Sequence, residues 1–124
     1  MSTTILTVDD SRTMRDMLML ALSDAGYRVV QAEDGVHGLE VLRNEMPQVV
    51  ITDINMPRMD GFGFIENVRK SDKHRAVPIL VLTTESDAEK KDRARKAGAT
   101  GWIVKPFDPV KLVNAIRRVA GAAA

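Results

Sequence analysis

The stretch that decides the fold is Val49-Val50-Ile51-Thr52-Asp53. Four β-branched residues in a row suit a strand, and a run with no polar/apolar alternation suits one covered on both faces. Such strands belong to parallel sheets flanked by helices. The aspartate that closes the run is hard to explain as packing, because carboxylates are seldom buried without a partner. In open parallel sheets the functional crevice lies beyond the carboxyl ends of the strands. Asp53 therefore marks a sheet edge and a candidate site together.

Working outward, other short apolar runs end in the same way. Ile5-Leu6-Thr7-Val8, within a first strand from Thr4, runs into Asp9-Asp10, and Trp102-Ile103-Val104 runs into Lys105. Pro78 opens a fourth run, Ile79 to Thr83, followed by Thr84, and Tyr27 to Ala32 reads as a more exposed strand. Helical spacing fills the gaps. Met14, Leu18, Ala21, Leu22 and Ala25 form one stripe, with Gly26 as its stop. Val36, Leu39 and Leu42 form a second, ended by Met46-Pro47; Phe62, Ile65 and Val68 form a third. Glu85 to Lys96 is charged, with Ala88 and Ala94 as its apolar side chains, and reads as a weakly anchored fourth helix. Asp108-Pro109 is a helix start, and Leu112, Val113, Ile116 and Val119 form the fifth stripe. Five strand–helix units in succession predict a doubly wound α/β fold with right-handed crossovers.

Composition narrows the function classes. The chain of 124 residues fits a single domain spanning 1–124. With 44% hydrophobic and 28% charged residues it reads as globular, and a net charge of +1 gives no field to attract nucleic acid or an anionic membrane. Without cysteine it has no disulfide, thiolate metal site or cysteine nucleophile. No apolar run approaches the roughly 20 residues of a membrane span, and no signal peptide is visible, so a cytoplasmic protein is expected. His37 and His74 lack a partner at ligand spacing and are expected at the surface.

The residues at the sheet edge define a chemistry. Asp9 and Asp10 repel each other unless a cation lies between them, although Asp10 or Ser11 could equally cap the following helix. Asp53 adds a third carboxylate. A hard divalent ion such as Mg²⁺ takes oxygen ligands of this kind. A carboxylate can also act as a nucleophile toward phosphorus. Lys105 supplies an ammonium and Thr83 a hydroxyl for phosphoryl oxygens.

Val8-Asp9-Asp10-Ser11, Thr52-Asp53-Ile54-Asn55-Met56-Pro57, Met59-Asp60-Gly61, Leu82-Thr83-Thr84 and Lys105-Pro106-Phe107 together resemble the receiver domains of two-component signalling, in particular the CheY-like chemotaxis type. The resemblance implies a flavodoxin-like five-stranded sheet in the order 2-1-3-4-5. It implies that Asp53 accepts a phosphoryl group from a phosphohistidine on a sensor histidine kinase. Asp10, Asp53 and the backbone carbonyl of Asn55 would ligate one Mg²⁺, with Asp9 helping through water. Lys105 would pair with the phosphoryl group, next to a cis bond before Pro106, and Thr83 would move toward it. Trp102 stands where the family carries a smaller switch aromatic, so the usual aromatic coupling is not expected to carry over unchanged. Asn55, Thr84 and Glu85 lie where the family tunes rates; branched Thr84 is expected to crowd the phosphoryl entrance.

Function then divides into several readings. The leading one is a stand-alone, monomeric phosphorylation switch with no output domain. It would signal through the surface of the fourth helix, fifth strand and fifth helix to an effector, by resemblance a flagellar motor switch protein, with a phosphatase as a further partner. The second is a phosphorelay intermediate or phosphate sink. A phosphohydrolase with an aspartate nucleophile is disfavoured, because it would need a carboxylate at Asn55. The chain is thus expected to catalyse only its own phosphoryl transfer and loss.

Overall fold

A computed structural model describes residues 3–123. Strands and helices alternate: β1 (Thr4–Val8), α1 (Arg12–Asp24), β2 (Arg28–Ala32), α2 (Gly35–Leu42), β3 (Val49–Thr52), α3 (Gly61–Lys70), β4 (Ile79–Thr83), α4 (Ala88–Ala97), β5 (Gly101–Val104) and α5 (Pro109–Ala123). All strand pairs are parallel, and the sheet order is β2-β1-β3-β4-β5, as the resemblance implies.

The sheet divides two apolar layers, and strand alternation decides which side chain joins which. Leu6, Val8, Val50, Ile79 and Val81 pack with Phe64, Ile65 and Val68 of α3. Ile5, Val49, Ile51, Leu80 and Leu82 pack with Leu18 and Leu22 of α1 and with Leu112 and Ile116 of α5. β1, β3 and β4 are buried along their whole length, whereas the edge strands β2 and β5 are mostly half-exposed. Only Ala94 of α4 is buried, so this helix is the least anchored of the layer, in accord with its composition. Among the described residues no helix is long and apolar enough to cross a membrane.

Several boundaries differ from the sequence expectation for local reasons. The second helix ends at Leu42, with Arg43 as its cap, before Met46-Pro47. β2 begins at Arg28 rather than Tyr27. The fourth helix begins at Ala88 rather than Glu85, because the Asp87 carboxylate accepts the Glu89 amide hydrogen at 2.7 Å and fixes the start. His74 is not a surface residue: it is 6% exposed, with Nε2 2.7 Å from the Leu42 carbonyl, so it ties the α3–β4 connection to the end of α2. His37 is half-buried, its Nδ1 accepting from the Glu33 amide.

One half-buried guanidinium fixes the far end of α4. Arg69 donates to the Gly98 carbonyl at 2.7 and 3.1 Å, to Val77 at 2.6 Å and to Arg75 at 3.0 Å. Gly98 has φ +118°, and a side chain there would also strike Arg69, so glycine is required on both counts. Replacing Arg69 by alanine leaves these carbonyls without their donor. Arg69→Ala is expected to lower stability by about 2 kcal/mol, read by denaturant unfolding; an unchanged midpoint would show that water replaces the guanidinium at no loss.

Candidate phosphoryl-acceptor and metal site

The site is assembled by register. Val8 pairs with Thr52, Thr52 with Val81, and Thr83 with Val104. Hydrogen bonding continues one residue past the strands: Asp9 N–H donates to Ala32, Asp53 N–H to Val8 and Lys105 N–H to Thr83. Asp9, Asp53 and Lys105 therefore leave the sheet at one edge although they are far apart in sequence. Glycine at position 61 lets the next helix start against this edge: any side chain there would overlap the Asp53 carbonyl oxygen.

At this edge one oxygen from each of Asp9, Asp10 and Asp53 lies within 4.8 Å of the others. Asp9 is 2% and Asp53 9% exposed, whereas Asp10 is open to solvent. The Lys105 ammonium bridges the two buried carboxylates, 2.8 Å from Asp9 Oδ2 and 2.9 Å from Asp53 Oδ2. The Lys105–Pro106 bond is cis. Asp53 Oδ1 accepts the Ile54 amide hydrogen at 2.7 Å, and Asp9 Oδ1 accepts that of Ser11 at 2.9 Å. Ser11, rather than Asp10, caps α1, accepting from Met14 N–H. That leaves Asp10 without the capping duty that could have explained it.

Burial pushes the Asp9 carboxyl above its ordinary value of 3.8; the hydrogen bond and charge of Lys105 offset part of this, and the charge of Asp53 adds to it. Burial also acts against the Lys105 ammonium, but hydrogen bonds and charges from Asp9 and Asp53 outweigh it and hold the ammonium above its usual value. Taken alone, the raised Asp9 favours folding fully below pH 3.8, and that contribution is lost as pH rises through its raised value. A cation on the carboxylates offsets the loss. Three hard oxygen donors in one crevice, two of them already drawn to a lysine ammonium, fit a divalent ion such as Mg²⁺.

The positions that the resemblance marks for tuning and switching are Thr83, Thr84, Glu85, Asn55 and Trp102. Thr83 is fully buried, and its hydroxyl accepts from the Glu85 amide at 3.4 Å. Thr84 is exposed beside it. The Asn55 amide donates to the Glu85 carboxylate at 3.1 Å, and Lys90 pairs with the same carboxylate at 3.1 Å. These bonds, Asn55 first, hold the Glu85 carboxyl below its usual range. Trp102 rests half-buried against the core, and its indole N–H donates to the Glu85 carbonyl at 3.0 Å. All the residues predicted for the site except Trp102 thus lie at the carboxyl edge of the sheet or in the loops that leave it; Trp102 lies within β5, opposite Val81, and reaches the β4–α4 loop through its indole N–H. Two groups were not legible in the sequence: Arg15, which donates to the Asp9 carbonyl at 2.7 Å, and the Asp34–Arg58 pair, 24 positions apart. Neither pairing follows a helix or strand period, so no sequence pattern signals it.

A family model, the response regulator receiver domain, matches residues 5–117. The chain is 41% identical over 119 residues to the chemotaxis protein CheY1 of Helicobacter pylori, covering 94% of this chain and 96% of that protein. It spans about half the length of other curated relatives, 44% and 47% of two probable transcriptional regulators. Among solved structures, Vibrio cholerae CheY4 superimposes with a TM-score of 0.92 at 44% identity, covering 96% of this chain and 99% of that one. The receiver domain of a sensor histidine kinase from Pseudomonas aeruginosa, with magnesium coordinated in its active-site cleft, matches with a TM-score of 0.91 at 25% identity, covering 98% and 99%. With the sheet order, the acidic edge and the bridging lysine all in place, these matches settle what kind of domain this is: the chain belongs to the response regulator receiver domain family.

Proposed function

We propose that this protein is a phosphorylation-activated switch in which Asp53 accepts a phosphoryl group from a histidine kinase. The observation that carries this reading is the lysine held between two buried carboxylates, one of them Asp53, at the open edge of a parallel sheet. Asp53 Oδ2 is the oxygen that faces Lys105, whereas Oδ1 is engaged by the Ile54 amide. Oδ2 would attack phosphorus, forming an O–P bond as the P–N bond of the donor phosphohistidine breaks. The new phosphoryl oxygens would take over the Lys105 ammonium and draw the Thr83 hydroxyl away from the Glu85 amide. Asp10, Asp53 and the Asn55 carbonyl would hold Mg²⁺, with Asp9 acting through water; when bound, the ion supplies charge neutralisation and orientation for phosphoryl oxygens. Because Asp9 titrates above an ordinary carboxyl, Mg²⁺ affinity should fall on acidification at higher pH than 3.8 would dictate; calorimetric titrations across that range would show it, and a profile set by an unshifted carboxyl would contradict it.

Signal output would run through Glu85. Its carbonyl takes the Trp102 indole N–H and its carboxylate takes Asn55 and Lys90, so movement of Thr83 disturbs β5 and the start of α4 together. With only Ala94 buried, α4 is the element most free to respond. The effector would bind the α4–β5–α5 face. Likeness to chemotaxis proteins over most of their length favours a stand-alone regulator of a chemotaxis system, acting in the cytoplasm on a flagellar motor switch protein. Phosphorylation-dependent binding of a motor-switch peptide tests this. Phosphoryl exchange with a second histidine protein, without such binding, would favour a relay or phosphate-sink role.

Thr84 is exposed just after β4, between Thr83 and Glu85, and would restrict entry to the site. Thr84→Ala is expected to speed phosphoryl entry and loss several-fold, in the range of one lost steric contact, about 1 kcal/mol. Stopped-flow phosphorylation with a small acyl phosphate would measure it; equal rates would show that Thr84 does not restrict the entrance.

A further inference from the structure

The Asp53–Asp60 loop is held in a conformation that its own sequence does not favour. Arg58 has φ +65°, the one non-glycine residue in the left-handed region among the described residues. The Met59 amide donates to the Pro57 carbonyl at 2.7 Å across it, which makes Arg58 the centre of a tight γ-turn of the strained hand. Glycine or asparagine would sit there more easily. Strain of this kind persists only where the surroundings over-determine it, and it gathers at functional sites.

The surroundings that hold this turn are explicit. Arg58 Nε donates to Asp34 Oδ2 at 2.8 Å and Nη2 to Asp34 Oδ1 at 3.0 Å, a two-pronged pair. Asp34 is 3% exposed, and its Oδ1 also accepts the His37 amide that starts α2. Beside the pair, the Gly35 amide donates to the Met59 carbonyl at 3.3 Å, and a side chain at 35 would collide with Met59. The loop is thus latched to the start of α2 at Arg58 and Met59. The same loop carries Asn55, which reaches the Glu85 carboxylate. An isolated surface ion pair would contribute little; here one partner is buried and the fork geometry fixes the other.

We infer that Arg58, through Asp34, is a positioning residue for the acidic site: the pair holds the Asp53–Asp60 loop in the conformation in which Asn55 can serve the divalent ion beside Asp10 and Asp53. This rests on the receiver reading. Neither residue belongs to the acidic cluster itself, so their effect is on the loop. Supporting groups behind metal ligands commonly change affinity about 10- to 100-fold when removed.

The test compares wild type with Arg58→Ala, Arg58→Gly, Asp34→Asn and the Arg58→Ala/Asp34→Asn double variant. Asp34→Asn keeps an oxygen for the His37 amide and loses only the ion pair, so it carries the test should Arg58→Ala fail to fold. Two quantities are read: metal-free hydrogen exchange at the Gly35 and Met59 amides, and Mg²⁺ affinity by calorimetry. Each variant is expected to exchange faster at both amides and to bind Mg²⁺ about 10-fold more weakly, and the double variant to be no worse than the singles. Arg58→Gly separates the latch from the strain, since glycine accepts the turn but cannot grip Asp34. Wild-type Mg²⁺ affinity in Arg58→Gly, or unchanged exchange and affinity in Asp34→Asn, would overturn the inference alone. Failure of the wild type itself to bind Mg²⁺ would overturn the receiver reading and the inference with it.

Discussion

Asp53→Asn is expected to abolish phosphoryl incorporation completely while leaving the fold in place. The asparagine carbonyl oxygen can still accept the Ile54 amide hydrogen, now at 2.7 Å, so the backbone after β3 keeps its local support. What disappears is the nucleophilic oxygen that faces Lys105. The asparagine NH₂ group would face the ammonium instead, and Lys105 would keep Asp9 as its partner. Stability should therefore change little, because a crowded carboxylate is lost along with half of the lysine bridge. Intact mass after exposure to an acyl-phosphate donor reads the chemistry and denaturant unfolding reads the fold. Retained phosphoryl mass in this variant would place the nucleophile elsewhere.

Lys105→Ala is expected to separate phosphorylation from signalling. The ammonium contacts the non-backbone-bound oxygen of both buried carboxylates, so it is the group that would sense a new phosphoryl group on Asp53. Its removal leaves the three carboxylates as metal ligands, and Mg²⁺ binding should persist. It also removes a cation that holds the Asp9 carboxyl down, so that carboxyl should titrate still higher. The gain in effector affinity on phosphorylation, of the order of 5- to 150-fold in coupled systems of this kind, should fall to near one. Peptide binding to phosphorylated and unphosphorylated protein measures the ratio; a full response in the variant would remove Lys105 from the switch.

The difference between these variants reflects what each residue can be seen to do from sequence. Asp53 was legible because nothing else explains a carboxylate at the end of Val49–Thr52, and the parallel register then brought Asp9 and Lys105 beside it. The sheet was equally legible, since the apolar runs of β1, β3 and β4 had to be buried on both faces. The order of the strands was different: alternation gives five strand–helix units, but only the family resemblance implied 2-1-3-4-5, which the fold shows.

Illegible features depended on single side chains acting at a distance. Glu85 reads as part of a charged helix, yet Asn55, Lys90 and Trp102 hold it in a loop, and the helix starts only after Asp87. His74 reads as a surface residue in a polar loop, yet one hydrogen bond to Leu42 buries it. The partner of Trp102 was likewise not legible: its indole N–H donates to the Glu85 carbonyl, a bond unavailable to phenylalanine at that position. Arg58 gives no pattern at all, because its conformation is fixed by Asp34 across 24 residues.

The most direct test of the central claim is an intact-mass measurement of the wild-type chain after incubation with a small acyl phosphate, with and without Mg²⁺, while Trp102 fluorescence is followed. The account predicts one added phosphoryl group that requires Mg²⁺, accompanied by a fluorescence change as the Glu85 carbonyl moves away from the indole. No incorporation from the acyl phosphate or from a phosphohistidine donor, or incorporation indifferent to Mg²⁺, would contradict it.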